Sequence, residues 1–234
     1  MHRLDWDSDF WGFDIYKIDK TDNLSEQDLI ANITNRSNSF LIQALVSSDE
    51  VQTINCLEEK GFRFIESKIT MKKMLDKTSK INKIKFKEIK KHELDSQRYS
   101  FFDLYGKISR FSLFRQEKIN DFYYFWVIKS IDGKLDDKCI GYYIDDQLAG
   151  FITYRYDNIR VSIGLVGVFP EFHQKGVSQK LLDYVNNKAI KKGYSEIIIS
   201  TQGKNISAIN AYIKNGFIFK NIKHWYYLKG DKLG

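Results

Sequence analysis

Two stretches decide how this chain is read: residues 163–182, IGLVGVFPEFHQKGVSQKLL, and residues 201–217, TQGKNISAINAYIKNGF. In the first, an apolar β-branched run is followed by Pro170, the chain's only proline. A polar loop containing Lys175 and Gly176 then leads into an amphipathic helix. Gly176 lets the backbone approach a ligand closely, and the helix start offers unpaired N–H groups at the positive end of the dipole. Such a strand–loop–helix corner suits phosphate oxygens. It is not a Walker loop, since Gly-x-x-x-x-Gly-Lys-Ser/Thr is absent. In the second stretch Asn205 stands at a helix start, and Tyr212 lies about two turns further along the same face. Gly216-Phe217 ends that helix.

The segments around these two carry a regular pattern. Runs rich in Ile, Val, Tyr and Phe predict strands over 139–144, 148–156 and 160–168, with turns at Asp145-Asp146 and Asp157-Asn158. A helix over 175–191 stopping at Gly193, a strand over 196–201, a helix over 206–215 and a last strand over 217–228 follow. Helices are also predicted over 92–105 and 117–131. In the second, Phe122, Phe125, Trp126 and Lys129 recur at i, i+3, i+4 and i+7, a spacing that predicts a core-facing stripe. Antiparallel strands followed by β-α-β-α-β make an α/β (α+β) domain with a mixed, mostly antiparallel sheet flanked by helices. Upstream, residues 10–18 are aromatic and β-branched, and Ser25 with Asp28 opens a helix to about residue 35. A helix over 49–60 stops at Gly61, and 62–74 reads as a strand. These make a smaller N-terminal α/β unit. Ten lysines between Lys68 and Lys91 face only Asp76 and Glu88, which reads as a solvated connector. The expected division is therefore 1–78 and 79–234.

Composition narrows the function classes. With 43% hydrophobic and 29% charged residues over 234 positions, the chain has globular composition and can bury a sizeable core. No apolar run approaches the ~18 residues that span a bilayer. The acidic, aromatic opening from Met1 to Asp7 is unlike a signal peptide, so no membrane partner and a cytoplasmic location are expected. Cys56 and Cys139 are too few for a disulfide or zinc framework, and their apolar surroundings suit packing; no metal is expected. The 37 basic and 30 acidic residues leave +7, compatible with nucleic acid, an anionic surface or a phosphorylated small molecule. Lysine greatly outnumbers arginine and no nucleic-acid-binding signature occurs, so nucleic acid is not an expected partner.

Together the two opening stretches resemble the GCN5-related N-acetyltransferase (GNAT) superfamily. Its loop follows Gln/Arg-x-x-Gly-x-Gly/Ala, and its next helix follows Asn-x-x-Ala-x-x-x-Tyr-x-x-x-Gly-Phe. Here His173 replaces the usual Gln or Arg and Ser178 the usual Gly or Ala. The resemblance implies the GNAT fold and acetyl-CoA as co-substrate. Backbone groups of Val166, Gly167 and Val168 would hold the pantetheine, with an N–H near Val166 polarising the thioester carbonyl. His173, Gln174, Lys175, Gly176, Val177 and Ser178 would line the pyrophosphate, mainly through amides. Tyr212 matches the tyrosine that protonates the departing sulfur, and Asn205 a residue that touches the cofactor; Asn205 also reads simply as a helix cap.

A narrower resemblance, to bacterial dTDP-fucosamine acetyltransferases, is carried by residues 4–12 (LDWDSDFWG), Ser109-Arg110-Phe111, residues 122–126 (FYYFW), Gly141 to Thr153, Thr201-Gln202 and Trp225-Tyr226. It implies acetylation of the 4-amino group of a dTDP-linked 4-amino-4,6-dideoxyhexose in surface-polysaccharide synthesis. Arg110 and Tyr123 are then the candidate substrate-binding residues, with Ser109, Tyr105 and Phe111 beside them. Arg110 reads equally as a surface arginine at a helix end. Asp103, Glu171 and His224 are the visible candidates for a general base, and none is assigned. Other amines as acceptors (another amino sugar, an aminoglycoside, a polyamine or a protein) remain open, as does a non-enzymatic basic binding module. Such acetyltransferases are commonly dimers, and a homodimer is carried as an expectation without a heptad or apolar stripe behind it.

Overall fold

The computed structural model describes residues 1–18, 39–76, 86–95 and 97–230. The helix expected over 25–35 lies outside them. The chain forms two compact units: Met1–Ile69 with Gln202–Lys204 and Asn221–Gly234, and Thr70–Thr201 with Asn205–Lys220. Two features differ from the expected 1–78 and 79–234 division. The change of unit falls inside a strand, between Ile69 and Thr70 and not at residue 78, and residues 221–230 belong with the beginning of the chain.

The first unit holds β1 (His2–Arg3), α1 (Asp5–Trp11), β2 (Asp14–Lys17), β3 (Phe40–Ser47) and α2 (Val51–Glu59). It also takes the start of β4 (Arg63–Met74) and the end of the last strand, β10 (Ile218–Lys229). β2 runs parallel to β3, and β10 pairs antiparallel with β3 in the register Leu45↔Trp225. Alternate residues Phe40, Ile42, Ala44 and Val46 of β3 pack with Leu57 of α2, Phe62 and Tyr226 into one core. The Tyr226 hydroxyl donates to Glu58 at 2.9 Å.

Residues 10 and 11, the start of the aromatic and β-branched run over 10–18, finish α1. The acidic residues Asp5 and Asp7 favour its N-terminus, and Trp6 stacks on Phe10 one turn later at 5.4 Å. Gly12 closes the helix in the left-handed conformation, and the buried Ser8 hydroxyl accepts from the Ile15 N–H at 2.9 Å. These local contacts outweigh the β-propensity of the aromatics.

The second unit carries β5 (Phe86–Glu88), the short helices α3 (His92–Asp95) and α4 (Phe101–Tyr105), and the long helix α5 (Gln116–Ile131). The single helix expected over 92–105 is thus present as short pieces, with 3₁₀ turns at Arg98–Ser100 and Gly106–Ile108. Next come β6 (Lys138–Ile144), β7 (Gln147–Tyr156), β8 (Val161–Val168), α6 (Val177–Lys191), β9 (Glu196–Gln202) and α7 (Ile206–Lys214). Strands β9, β8, β7, β6 and β5 lie side by side in that order. β8 and β9 are parallel; β5 to β8 are antiparallel neighbours. Successive residues of β7 face opposite layers: Gly150 meets Val177 of α6, and the Phe151 ring meets Phe101 of α4.

Two expectations in this unit need correction. α5 buries Ile119, Phe122, Tyr123, Tyr124 and Val127; of the predicted stripe Phe122 is buried, Trp126 and Lys129 are partly buried, and Phe125 is exposed. Aromatic and β-branched residues occupy several faces of this helix in succession, which blurs its period. The lysine-rich stretch is not simply a connector, because Lys68, Lys72 and Lys73 belong to β4 and Lys87 to β5. Lys73 is half-buried with its Nζ 5.9 Å from the Phe217 ring.

One irregularity shapes the rest of the sheet. Between β7 and β8 the register moves from Ile152↔Val166 to Tyr154↔Ile163, so Thr153 faces both Gly164 and Leu165. The Thr153 hydroxyl accepts from the Leu165 N–H at 2.9 Å and donates to Asp136 Oδ2 at 2.6 Å. That fully buried carboxylate oxygen also accepts from Trp126 Nε1 and Ser130 Oγ, each at 3.3 Å, and Arg155 stands 3.6 Å from the other oxygen. Gly164 has no side chain to give: a Cβ there would collide with the Asp136 carboxylate and stand 2.7 Å from Thr153 Oγ1. Gly164→Ala should therefore lower unfolding free energy by about 1–3 kcal/mol, the usual range for overpacking. Urea denaturation checks this; an unchanged midpoint would show that the bulge yields freely.

Candidate active site

β8 and β9 pair only from Val161↔Ile197 to Ile163↔Ile199, after which the two strands part. The parting begins at the bulge. Beyond it, the orientation of the β8 amides follows from one bond: Phe169 N–H donates to the Ala149 carbonyl at 3.1 Å. In an antiparallel ladder, alternate residues bond to the same neighbour. With Gly150↔Val168 and Ile152↔Val166 in register, Gly167 turns its polar groups to β7. Val166 and Val168 turn theirs away from it, along the edge that β9 has left. Of the three backbone positions expected to meet the pantetheine, two present amides on that edge. Gly167 contributes by lacking a side chain.

The loop after β8 keeps its backbone exposed. Phe169 and Phe172 are buried and anchor it, while residues 173–176 are exposed. Gln174 and Gly176 adopt left-handed backbone conformations, with φ of +62° and +71°. Gly176 is the N-cap of α6 and provides no side-chain cap; nothing lies within 4 Å of where its Cβ would be. The first helical bond is Lys180 N–H to the Gly176 carbonyl at 3.2 Å. The N–H groups of Val177, Ser178 and Gln179 therefore have no acceptor in their own helix. His173 braces the loop against the strand, with its Nε2 lying 3.0 Å from the Val168 carbonyl, a contact that requires the proton on Nε2. Lys175 lies over the Phe172 ring, with Nζ 5.0 Å from the centroid. Val177 is buried against Gly150, and Ser178 is partly exposed on the first turn.

The second stretch resolves into a capped helix. Asn205 Oδ1 accepts from the Ala208 N–H at 3.2 Å and Asn205 Nδ2 donates to Thr201 Oγ1 at 3.1 Å, so the side chain is committed to the helix start. At the other end Phe217 N–H donates to the Tyr212 carbonyl at 3.0 Å, and Gly216 N–H to the Ile213 carbonyl at 2.9 Å. With Gly216 at φ +81°, this is a Schellman ending, and the Tyr212 and Phe217 rings meet across it at 6.0 Å. The spacing of Asn205, Ala208, Tyr212, Gly216 and Phe217 thus has a folding reason at every position except one atom. The Tyr212 hydroxyl makes no hydrogen bond to the described residues. Burial pushes its pKa above the ordinary phenol value, so it holds its proton.

On the far face of β7 and β8, Tyr123 is buried and its hydroxyl donates to Ser109 Oγ at 3.0 Å, which also accepts from the Phe111 N–H. Its ring stacks on Tyr105 at 4.6 Å. The half-buried Arg110 guanidinium lies 4.0 Å from the Phe111 ring centre. Among the candidates for a general base, Asp103 and Glu171 are exposed. His224 belongs to the first unit, where Nδ1 lies 3.1 Å from Ser67 Oγ. Cys139 is buried on β6, and burial pushes its thiol pKa up, consistent with packing. Among the described residues no group of three His, Cys, Asp or Glu side chains is placed to hold a metal, and no helix is long and apolar enough to cross a membrane.

The Asp136–Thr153 support of the bulge has no signal in the sequence, because it joins positions 17 residues apart through side chains of common type.

Comparison with known proteins bears on the fold and the family. A streptothricin acetyltransferase from Escherichia coli is 31% identical over 96 residues, which are 41% of this chain. The match spans 55% of that relative's length. A conserved protein of unknown function from Staphylococcus epidermidis superposes with a TM-score of 0.62 at 16% identity, over 93% of this chain and 84% of its own. A GCN5-related N-acetyltransferase from Sphaerobacter thermophilus gives 0.59 at 14% identity, over 81% and 60%. At these identities the two structures share the fold alone. Residues 98–217, just over half of the 234, match the acetyltransferase (GNAT) family. That stretch takes in the bulge, the open edge of β8, the loop into α6 and Tyr212: the chain belongs to the acetyltransferase (GNAT) family, whose acetyl donor is acetyl-CoA.

Proposed function

We propose that this chain transfers the acetyl group of acetyl-CoA to the 4-amino group of a dTDP-4-amino-4,6-dideoxyhexose, a step in bacterial surface-polysaccharide synthesis. The observation that carries the acetyl-transfer part is the hydroxyl of the buried Tyr212 side chain, which makes no hydrogen bond to the described residues in an otherwise fully explained helix motif. Bound acetyl-CoA supplies an acetyl group activated as a thioester. The Val166 N–H, fixed along the open edge, suits a carbonyl oxygen that gains negative charge. The N–H groups of Val177, Ser178 and Gln179 at the uncapped start of α6 suit the pyrophosphate, with Lys175 adding charge nearby. Tyr212 Oη gives its proton to the sulfur as the thiolate departs. Its raised pKa matches that role, because the phenol stays protonated wherever the attacking amine is neutral.

The choice of acceptor rests on the resemblance in residues outside the acetyl-CoA motifs. Arg110 supports it, since a planar guanidinium suits diphosphate oxygens. Tyr123, with its hydroxyl held by Ser109, would contribute its ring face rather than a hydrogen bond. A second reading has a specific observation behind it. The partial similarity to streptothricin acetyltransferase favours a different amine as acceptor, with the same acetyl-CoA chemistry. Mass spectrometry with acetyl-CoA and a panel of dTDP-amino sugars, streptothricin, a polyamine and an aminoglycoside separates the two. A gain of one acetyl mass confined to a 4-amino sugar nucleotide is the expected result; acetylation of streptothricin alone would overturn the sugar assignment.

Tyr212→Phe should lower kcat by about 10²–10⁴, the range for a general acid, and leave acetyl-CoA affinity unchanged in calorimetry. Unchanged kcat would remove Tyr212 as the acid. The pH dependence follows from the direction of its shift. A phenol ordinarily titrates near pH ~10 and burial raises this one, so the protonated form persists through the neutral and mildly alkaline range. The rate should rise with pH as the acceptor amine loses its proton, without a falling limb below about pH 10. A fall between about pH 7 and 9 in a kcat profile would contradict that assignment.

A further inference from the structure

Tyr105, the last residue of α4, is buried, and its hydroxyl oxygen has no hydrogen-bond partner. Its position is unusual. A Cβ on Gly167 would stand 2.9 Å from that oxygen and 2.5 Å from the Phe151 ring. Glycine at 167 therefore lets a phenol reach the β8 backbone between Val166 and Val168, the two residues whose amides line the open edge. The ring cannot easily swing away, because it stacks on Tyr123 at 4.6 Å, and the Tyr123 hydroxyl is tied to Ser109. Tyr212 is near enough for its phenol to act electrostatically on that of Tyr105.

Phenylalanine would fill the same space without burying an unpaired polar atom, which lowers stability wherever it occurs. We propose that Tyr105 is a further site residue, whose hydroxyl donates a hydrogen bond to an oxygen acceptor at the point of acyl transfer beside Gly167. Two sources can supply that oxygen: the acyl carbonyl of the donor, or a hydroxyl or ring oxygen of the acceptor next to its reacting nitrogen. The inference rests on the acetyltransferase reading. Burial keeps the phenol protonated, so it acts as a hydrogen-bond donor and not as a base.

The test compares the full-length chain with Tyr105→Phe in three measurements. Calorimetry gives affinities for acetyl-CoA and for CoA. Steady-state kinetics with dTDP-4-amino-4,6-dideoxygalactose gives kcat and KM, and thermal unfolding gives stability. If the donor carbonyl is the partner, the preference for acetyl-CoA over CoA falls about tenfold, as for one lost hydrogen bond, and CoA affinity is unchanged. If the acceptor is the partner, acetyl-CoA affinity is unchanged and kcat/KM for the amino sugar falls by about tenfold or more. In both cases the unfolding midpoint stays the same or rises. A variant that matches wild type in the affinity ratio and in kcat/KM overturns the proposal, as does one whose losses track a drop in stability. Failure of the underlying reading is distinct: the wild-type chain itself would then bind neither acetyl-CoA nor CoA.

Discussion

The parting of β8 from β9 is the constraint on which the site depends, and it is enforced by side chains buried inside the second unit. A regular β8 would place Gly164 to Val168 beside β9 and use up the edge amides in strand pairing. One extra residue at Gly164–Leu165 changes the strand's direction, and Thr153 takes over the Leu165 N–H that the ladder abandons. Asp136 then holds Thr153, with Trp126 and Ser130 sharing the same carboxylate oxygen. Buried polar networks of this kind rigidify when satisfied and destabilise when broken. The open edge of β8 is thus maintained by residues that do not themselves lie on it.

The site combines two kinds of backbone group. Val166 and Val168 offer amides from a strand edge, and Val177 to Gln179 offer them from a helix start. Backbone donors tolerate changes of side chain, so the uncapped N–H groups remain with His173 and Ser178 in the loop. His173 is redirected to the Val168 carbonyl and stiffens the junction between strand and loop. Ser178 leaves its amide in place. In the proposed reaction the movable proton belongs to a side chain, Tyr212, which caps at both ends of α7 hold in place.

Much of this was legible in the sequence. Strands β6 to β9 are apolar runs bounded by turn residues, and Gly61, Gly193 and Gly216 each end a helix at the residue expected. The α/β class with a mixed sheet follows from such local signals, and the loop and helix motifs carried the resemblance that implied the GNAT fold. What the sequence hid was tertiary. Thr153 and Asp136 carry no motif, and the approach of Tyr105 to Gly167 depends on how α4 packs across β7 and β8. At α1, local caps overrode aromatic β-propensity; along α5, apolar residues on several faces blurred the period. Asn205 was legible as both a cap and a cofactor residue, and its two hydrogen bonds account for the first role.

The central claim is that the edge of β8 and the start of α6 form one binding surface for acetyl-CoA. Hydrogen–deuterium exchange of the full chain, with and without acetyl-CoA, tests it directly, because edge amides without partners exchange quickly until a ligand covers them. The account predicts that acetyl-CoA slows exchange at Val166, Val168 and residues 177–179 together. Protection that spares these amides, or covers one segment and leaves the other unchanged, would contradict it.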